Sequence, residues 1–457
     1  MSLPVSQTKI PKPSPPPGRR WREAPGEGSP CHPGLRQRSE YGVKSCILAL
    51  LLLLALRSAF AATDANLSRA ALAGELVNLK NHRVLRLSGN DMTERGFAEG
   101  YLLAADIRDD LDAAIQSLPT FSAAKFETKV APWARKTFVW DADARAELDG
   151  IFQGMSAKLG AEGLKSKALG RALTRDDIVA MNVIADYFGP ACSGFAAWGS
   201  RTQGGEVVYG RSLDFPLGPK AIADQIILVS EAVSARADGR PARRAWVGVG
   251  WPGLIGQYSA MNAEGFAVCL HDGYNLHKGG KEEGAISRGL LLRRMIEEIG
   301  VADGDPAESA ARMAGLQSAA CGNLFQLVWP KAVAAKTGTQ PSAVLEFDSS
   351  SRRVDIRRPE LKDELVLTNH MRVRSKPVAC GRFSKISEGL DLLEKASRPI
   401  GLMEARKLLM AAEQPVAAHS IYFFPDRLEL DIAITNGNVM SPRVVPTAFT
   451  MDELLRK

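Results

Sequence analysis

The order of the predicted elements places this chain in the α+β class. Helical periodicity dominates the residues from about 90 to 188, and short strand-like runs dominate from residue 194 onward. Two pairs of helical segments then divide the strand-like runs into three groups. Strands and helices in separate blocks are typical of layered α+β folds, whereas strict alternation would predict a parallel α/β sheet.

The part of the chain before residue 190 is predicted to be mainly helical. An alternating strand at 84–87 ends at a Gly-Asn turn. Thr93 is predicted to cap a helix that runs to about Leu118, because apolar residues recur there at helical spacing. Further helices are predicted near 142–159 and 175–188. Thr174 is the predicted N-cap of the last helix, whose first turn carries the acidic residues that suit a helix dipole.

Beyond residue 190, Gly and Pro residues separate short β-type runs. Strands are predicted at 194–198, 206–210, 225–234, 245–250, 257–261, 265–270, 324–328, 343–347, 353–356, 364–368, 420–424 and 428–434. Helices are predicted near 285–299, 307–317, 387–396 and 402–412.

An apolar run near the start of the sequence predicts export. Residues 46–56 are apolar throughout, Lys44 precedes them, and Ala59-Phe60-Ala61 follows as a small-x-small cleavage site. The run is too short to cross a bilayer, which needs about 20 residues. It is typical of a secretory signal peptide over 43–61, preceded by a Pro- and Arg-rich extension, 1–42, that is predicted to be disordered. We therefore expect a periplasmic or secreted protein without a stable membrane span.

The positive charge of the chain lies almost entirely in that leader. The whole sequence has a formal net charge of +7, and residues 1–61 contribute +6 of it. The remaining 49 basic and 48 acidic residues nearly balance, so the charge does not predict binding to nucleic acid. Four cysteines remain after residue 61, none at metal-ligand spacing, and disulfide pairing stays an alternative for each: Cys192, Cys269, Cys321 and Cys380.

Cys192 is the strongest candidate for chemistry. It begins a strand-like stretch directly after Gly189-Pro190-Ala191, and Arg211 and Asp214 follow 19 and 22 residues later. A hairpin can bring residues at that distance beside the first residue of a strand. The thiolate is the nucleophilic form of cysteine, and a neighbouring guanidinium favours it over the thiol.

These residues, together with three later segments, resemble the cysteine branch of the N-terminal nucleophile hydrolases. The segments are Met261-Asn262-Ala263-Glu264-Gly265, Thr368-Asn369 and the stretch 419–425. The match is to the isopenicillin N acyltransferases, which are related to bile-salt hydrolases and acid ceramidase. The resemblance implies a four-layer αββα sandwich over 192–457 and a helical propeptide or α chain over 62–191.

The resemblance also implies the roles of the site residues. Cleavage of the Ala191–Cys192 bond would make Cys192 the new N-terminus, and its α-amino group would serve as the general base. That group has an unperturbed pKa of about 7.7–8.0, near working pH. Arg211 would favour the thiolate, and Asp214 would fix the amine and the guanidinium. Asn262 and Asn369 would supply the two donors of the oxyanion hole.

The sequence therefore predicts a self-activated amidohydrolase or acyltransferase that acts on a linear amide. A small-molecule amide or acyl substrate is the expected partner, no cofactor or metal is expected, and the two cleaved chains are expected to stay associated. Two alternatives remain open. One is an N-acyl-lipid amidase of the ceramidase type, with the apolar residues of 246–254 around the acyl chain. The other is a non-catalytic exported binding protein that keeps Cys192 in a disulfide.

Overall fold

The computed structural model describes residues 63–235, 242–274, 283–302, 304–360 and 362–456. The segments 1–42 and 43–61, predicted as a disordered extension and a signal peptide, lie outside the described residues. Within those ranges, no helix is both long enough and apolar enough to cross a membrane.

The strands form two large sheets and one small one. In chain order the strands are β1 (Gly74–Leu79), β2 (His82–Leu87), β3 (Ala191–Ala197), β4 (Val208–Asp214), β5 (Ile226–Ser230), β6 (Trp246–Gly250), β7 (Ser259–Asn262), β8 (Ala267–Asp272), β9 (Ala285–Ile286), β10 (Ser318–Ala319), β11 (Asn323–Val328), β12 (Ser342–Asp348), β13 (Ser351–Arg357), β14 (Glu364–Leu367), β15 (Ala417–Phe424), β16 (Glu429–Ile434) and β17 (Thr447–Thr450). The larger sheet has the order β1-β2-β5-β6-β7-β8-β11-β12-β13, and the second has the order β14-β3-β4-β15-β16-β17. β9 and β10 pair separately.

The helices cover the outer faces of the two large sheets, except the last one, which packs against the core between the sheets. In chain order they are α1 (63–73), α2 (Met92–Leu102), α3 (Ala104–Ser117), α4 (Ala123–Lys125), α5 (Ala131–Thr137), α6 (Ala142–Gly163), α7 (Arg175–Met181), α8 (Ile184–Phe188), α9 (Pro219–Ala223), α10 (Arg288–Glu298), α11 (Pro306–Gly315), α12 (Lys331–Thr337), α13 (Gly381–Lys395), α14 (Leu402–Ala411) and α15 (Met451–Leu455).

Three hydrophobic cores show that these elements stack in four layers. Alternate residues of one strand point to opposite faces of its sheet. In β2, Leu85 packs against the helices that include α2, α6 and α10, whereas Val84 packs against the second sheet. In β3, Ala196 joins the core between the two sheets, and Phe195 joins the core beneath α13 and α14. The αββα sandwich is therefore confirmed.

The segment before Cys192 was predicted to be mainly helical, but it also contributes strands to the sandwich. β1 and β2 form an antiparallel hairpin, as the alternation at 84–87 indicated in part. β2 then pairs in parallel with β5, which lies after Cys192 in the chain. The segment therefore supplies an edge of the larger sheet in addition to helices.

Helix capping in this segment agrees with the sequence at one position and differs at another. Thr174 is the N-cap of α7, as predicted, and it forms a capping box with Asp177. The predicted helix from Thr93 to Leu118 is two helices, interrupted at Leu103, and its first cap is Asp91. The Asp91 carboxylate accepts from the backbone N–H groups of residues 93 and 94, and aspartate is among the residues that best suit an N-cap.

Glycines on α2 and α6 let the two helices approach closely. Gly96 and Gly100 lie on α2, and Gly150 and Gly154 lie on α6, each pair spaced by four residues along one helix face. A Cβ atom built at Gly100 would lie 2.0 Å from the backbone oxygen of Ile151. Backbone cannot rotate away as a side chain can, so the contact requires glycine.

We expect Gly100→Ala to destabilise the protein by about 1–3 kcal/mol, the usual cost of overpacking. Gly315→Ala is the matched control, because it is also helical and its new Cβ meets nothing closer than 3.4 Å. The free energy of unfolding, measured with urea on both variants, checks this. Equal effects of the two substitutions would contradict the close helix contact.

Candidate active site

Cys192 lies at the start of β3 and points into the space between the two large sheets. β3 runs between β4 and β14, and Cys192 shares its face with Ala196 of the inter-sheet core. The side chain is fully buried, and Sγ lies 3.4 Å from the backbone oxygen of Leu270 in β8. The structure shows the four cysteines of its described residues as free thiols. No disulfide therefore occupies the Cys192 sulfur.

Arg211 places its guanidinium directly beside this thiol. The expected hairpin is present, because β3 and β4 pair with Cys192 opposite Leu213, two residues after Arg211. Nη2 of Arg211 donates to Cys192 Sγ at 3.2 Å and to the oxygen of Leu270 at 2.9 Å. Burial raises the pKa of the Cys192 thiol, and the Arg211 guanidinium acts in the opposite direction. Arg211 therefore offsets part of the burial penalty on the thiolate.

Asp214 is also in the site, but its hydrogen-bonding partner is a different arginine. It lies opposite Ala191 in the β3–β4 ladder and is almost fully buried, which rules out an ordinary surface ion pair. Its carboxylate accepts from Arg382 Nη1 at 3.4 Å and from Ser212 Oγ at 3.3 Å. Burial raises the pKa of Asp214 to about 7, although the guanidinium groups of Arg382 and Arg211 lower it.

Asn369 holds the peptide bond on which the predicted cleavage depends. Its Oδ1 accepts from the backbone N–H of Cys192 at 2.8 Å. Its Nδ2 donates to the oxygen of Asp272 at 2.9 Å and to the oxygen of Pro190 at 3.4 Å. The segment Thr368-Asn369 thus reaches the start of β3, where its amide contacts both sides of Ala191.

Arg382 is a member of the site that the sequence did not single out. It lies in the first turn of α13, and its Nη2 donates to Asn369 Oδ1 at 2.7 Å. Nη1 donates to the backbone oxygen of Cys192 and, at 3.2 Å, to Ser193 Oγ. Its distance in sequence from Cys192 and its ordinary local context left no signal that could have indicated it.

Asn262 is not part of this site, and the oxyanion role assigned to it needs correction. It ends β7 three residues after Ser259, and an odd separation places the two side chains on opposite faces of the sheet. Ser259 faces Arg211, whereas Asn262 Nδ2 donates to the oxygens of Ile296 and Ile299 near the end of α10. Its Oδ1 accepts from two backbone N–H groups of the following turn. Both amide hydrogens are used, and none is left for an oxyanion.

Asn262→Ala is accordingly expected to lower stability without a specific loss of rate. The substitution leaves buried carbonyl and N–H groups unpaired, at about 1–3 kcal/mol for each unsatisfied group. Thermal unfolding should shift downward, while the activity per folded molecule stays near the wild-type value. A fall in that activity on the order of 10²–10³, with unchanged stability, would restore the oxyanion role.

The residues just before Ala191 are anchored by a buried arginine at the start of α10. Arg288 donates from Nη2 to the backbone oxygens of Ala185 and Asp186, and from Nη1 to Asp272 at 2.6 Å. Gly189 follows with φ +68, and a Cβ there would meet the Asp272 carboxylate at 2.4 Å. The strand therefore begins from a fixed and crowded turn.

No group of three His, Cys, Asp or Glu side chains in the described ranges is arranged to hold a metal ion. The groups that surround Cys192 are two guanidinium groups, an amide, the Asp214 carboxylate and backbone carbonyls. The guanidinium and amide N–H groups suit an anionic sulfur and the carbonyl oxygen of an amide.

Solved structures that are similar to this chain include the following three, each at low sequence identity. An N-acylethanolamine-hydrolyzing acid amidase orthologue from Caenorhabditis elegans aligns at 13% identity and a TM-score of 0.36, over 51% of this chain and 93% of its own. A mutant of conjugated bile acid hydrolase from Clostridium perfringens aligns at 11% identity and a TM-score of 0.38, over 58% and 94%. A penicillin V acylase from Agrobacterium tumefaciens aligns at 13% and 0.37, over 57% and 87%. No family model matches the sequence, and no curated protein does either.

Proposed function

We propose that the protein is a self-cleaving cysteine amidohydrolase, in which Cys192 is both the nucleophile and the new N-terminus. The observation that carries the proposal is the arrangement at the start of β3. Arg211 contacts the sulfur of Cys192, and Asn369 binds its backbone nitrogen. The reaction needs a nucleophile and a base close together, and cleavage would turn the backbone nitrogen of Cys192 into an amine beside its own thiol.

Self-cleavage proceeds on the Ala191–Cys192 bond. The Cys192 thiol gives up its proton, and the sulfur attacks the carbonyl carbon of Ala191. The C–N bond breaks, the nitrogen of Cys192 takes the proton, and a thioester joins Ala191 to the sulfur. Water then adds to the thioester, which releases the Ala191 carboxyl group and restores the thiol. The product is a chain of 266 residues, 192–457, with a free α-amino group.

In turnover, that α-amino group takes the proton of the Cys192 thiol, and the thiolate attacks the amide carbonyl of the substrate. The tetrahedral intermediate collapses as the amine leaves with the proton, and an acyl thioester remains on Cys192. Water releases the acid, whereas transfer to a second amine would release a new amide. We propose hydrolysis as the reaction; acyl transfer would differ only in that an amine, in place of water, accepts the acyl group.

Asn369 Nδ2 is the proposed oxyanion donor. In the uncleaved chain it donates to a carbonyl oxygen of the upstream segment, that of Pro190. Movement of Pro190 after cleavage would release that N–H, which could then donate to the oxygen of the reacting carbonyl. A preorganised amide donor of this kind stabilises the charge that develops on oxygen in the transition state.

The two chains are proposed to stay together after cleavage. The 63–191 part keeps β1 and β2 in the larger sheet, and buried ion pairs join it to the second chain. Glu147 pairs with Arg293, and Asp143 pairs with Arg243, with all four side chains less than a tenth exposed. Separation would expose an unpaired strand edge and leave buried charges without partners. We also propose that the mature protein is exported, on the leader sequence alone.

An N-acyl-lipid amidase is the second candidate, suggested by an apolar cavity of about 40 Å³ near the site, which would have to widen to take an acyl chain. Trp251, Leu254, Phe215 and Tyr258 line it together with residues of α3, α7 and α8. Phe215 directly follows Asp214 in sequence. Trp246 and its strand neighbours, by contrast, belong to the sheet and are part of the buried core.

The proposal is tested by trapping the acyl-enzyme. Purified protein is mixed with N-acyl amides of short, aromatic and long acyl groups, quenched in acid and measured by intact mass. We expect the 192–457 chain to gain the mass of one acyl group, lost again on treatment with hydroxylamine. Cys192→Ala is the control and should gain none. An acyl adduct on Cys192→Ala, or none on wild type with any substrate, would contradict the proposal.

A further inference from the structure

The guanidinium of Arg211 is surrounded by neutral acceptors. Nη2 donates to Cys192 Sγ and to the oxygen of Leu270, and Nη1 donates to Ser259 Oγ at 2.5 Å. Nη1 also lies 3.0 Å from His419 Nε2. Within the described parts of the chain, no carboxylate forms a hydrogen bond or an ion pair with Arg211. Its positive charge therefore has the Cys192 sulfur as the nearest group that can become an anion.

The hydrogen bonds around His419 fix which ring nitrogen carries the proton. Gln225 Nε2 donates to the oxygens of Ile222 and Ala418, which leaves Gln225 Oε1 as an acceptor. That oxygen lies 2.6 Å from His419 Nδ1, so Nδ1 must carry the hydrogen. His419 Nε2 is then a lone-pair acceptor, and both Nη1 of Arg211 and the Ser259 hydroxyl lie 3.0 Å from it. Ser259 Oγ also accepts from the same Nη1, so the ring holds Arg211 directly and through Ser259.

The sheet places these groups in a row. His419 in β15 pairs with Leu213 in β4, and Leu213 pairs with Cys192 in β3. Cys192 and His419 thus lie one strand apart on either side of β4, and their side chains share the inter-sheet face. The Arg211 side chain bridges the gap between them. Trp251 lies beside the imidazole, with the ring centroids 6.1 Å apart and the ring planes tilted by 42°.

A neutral acceptor at this position has a consequence that a carboxylate would not have. A carboxylate would neutralise the Arg211 guanidinium and weaken its effect on the thiolate. Burial, with the Arg211 charge, lowers the pKa of His419 well below its ordinary value, so the ring is uncharged at neutral pH. The neutral ring can therefore orient the guanidinium without neutralising it, so the full positive charge of Arg211 remains to stabilise the Cys192 thiolate.

We propose that His419, held in its Nδ1-protonated form by Gln225, is a positioning residue that fixes Arg211 against Cys192. The inference rests on the proposed function, because it gives Arg211 its role through the nucleophile. His419 itself does not touch the sulfur and takes no proton during the reaction.

Other titratable and charged groups lie near Cys192 and Arg211 and are not substituted in the test. Tyr209 on β4 and Cys269 and His271 on β8 share the inter-sheet face, whereas Asp214 and Arg382 lie on the α13 side of β3 and β4.

The test is the pH profile of Cys192 alkylation by iodoacetamide, followed by peptide mass. His419→Leu removes the acceptor, and we expect the apparent thiol pKa to rise by about one unit, so that alkylation at neutral pH slows about tenfold. His419→Gln keeps a neutral acceptor near Nε2 and should keep the wild-type profile. Gln225→Leu removes the group that fixes the tautomer of His419, and it should raise the apparent thiol pKa as His419→Leu does. It serves as the second test if His419→Leu does not fold.

His82→Leu is the matched control, because His82 is a partly buried histidine in β2 that contacts Thr447 instead. It should keep the wild-type profile. If wild-type Cys192 reacts and the Leu and Gln variants of His419 have its profile, the positioning role is wrong and the proposed function stands. If wild type is neither cleaved nor alkylated at Cys192, the proposed function fails, and the inference fails with it.

Discussion

Asn369→Ala is expected to reduce the rate of amide hydrolysis on the order of 10²–10³, the usual effect of losing one oxyanion donor. The substitution removes the amide that binds the Cys192 nitrogen and the donor that faces the Pro190 oxygen. Single-turnover acylation, normalised to folded protein, measures the effect. Self-cleavage should slow as well, because the same amide contacts the bond that breaks.

Asn262→Ala is the matched control for that variant. Both asparagines are fully buried, and each uses its amide for backbone groups, but only Asn369 reaches Cys192. We expect Asn369→Ala to lower mainly the rate of amide hydrolysis and Asn262→Ala to lower mainly the free energy of unfolding. Equal losses of rate would contradict the assignment of roles.

Arg288→Met is expected to destabilise the protein by about 3–5 kcal/mol, the usual cost of breaking a buried ion pair. Asp272 and Asp186 would lose their buried counter-charge, and the oxygens of Ala185 and Asp186 would lose their donor. The turn before Ala191 would then be less fixed. We expect slower self-cleavage and weaker retention of the 63–191 chain in size-exclusion chromatography.

The loss should depend on pH. Burial already raises the pKa of Asp186 to about 6, although Arg288 lowers it. Without Arg288 that pKa rises further, so the folded protein holds a proton that the unfolded chain loses above about pH 4. Stability then falls as pH rises through this window. Urea denaturation at pH 5 and pH 8 should show the larger deficit at pH 8.

Arg69→Met is the control, since the Arg69–Glu94 pair is about one-third exposed on both sides. A pair of that kind contributes about 0–1 kcal/mol. If Arg288→Met costs no more than Arg69→Met, the buried network does not anchor the turn.

The site could be predicted from the sequence where its residues share one hairpin or one short motif. Cys192, Arg211 and Asp214 lie on paired strands, so their spacing carries the geometry. Asn369 lies two residues after the end of β14, which pairs with β3, so the Thr-Asn motif identified a residue close to Cys192. The α+β class followed from the order of strands and helices, and the four layers followed from the resemblance.

The remainder depends on long-range packing that no local pattern records. Arg382 reaches the site only because α13 packs beneath β3 and β14, and its sequence context is ordinary. Asn262 matched a motif, but the face of β7 on which it lies depends on strand register, which a match of a few residues does not specify. The hairpin of β1 and β2 joins β5 across more than a hundred residues, so the depth of its insertion was not visible.

The central claim is that the chain cleaves itself at the Ala191–Cys192 bond. A denaturing gel together with intact-mass measurement, on wild type and on Cys192→Ala, tests this claim most directly. We predict that wild type gives two chains, one of which begins at Cys192 with a free α-amino group. Cys192→Ala should remain a single chain with the same fold. A wild-type protein that stays one chain across the Ala191–Cys192 bond while hydrolysing an amide would contradict the account.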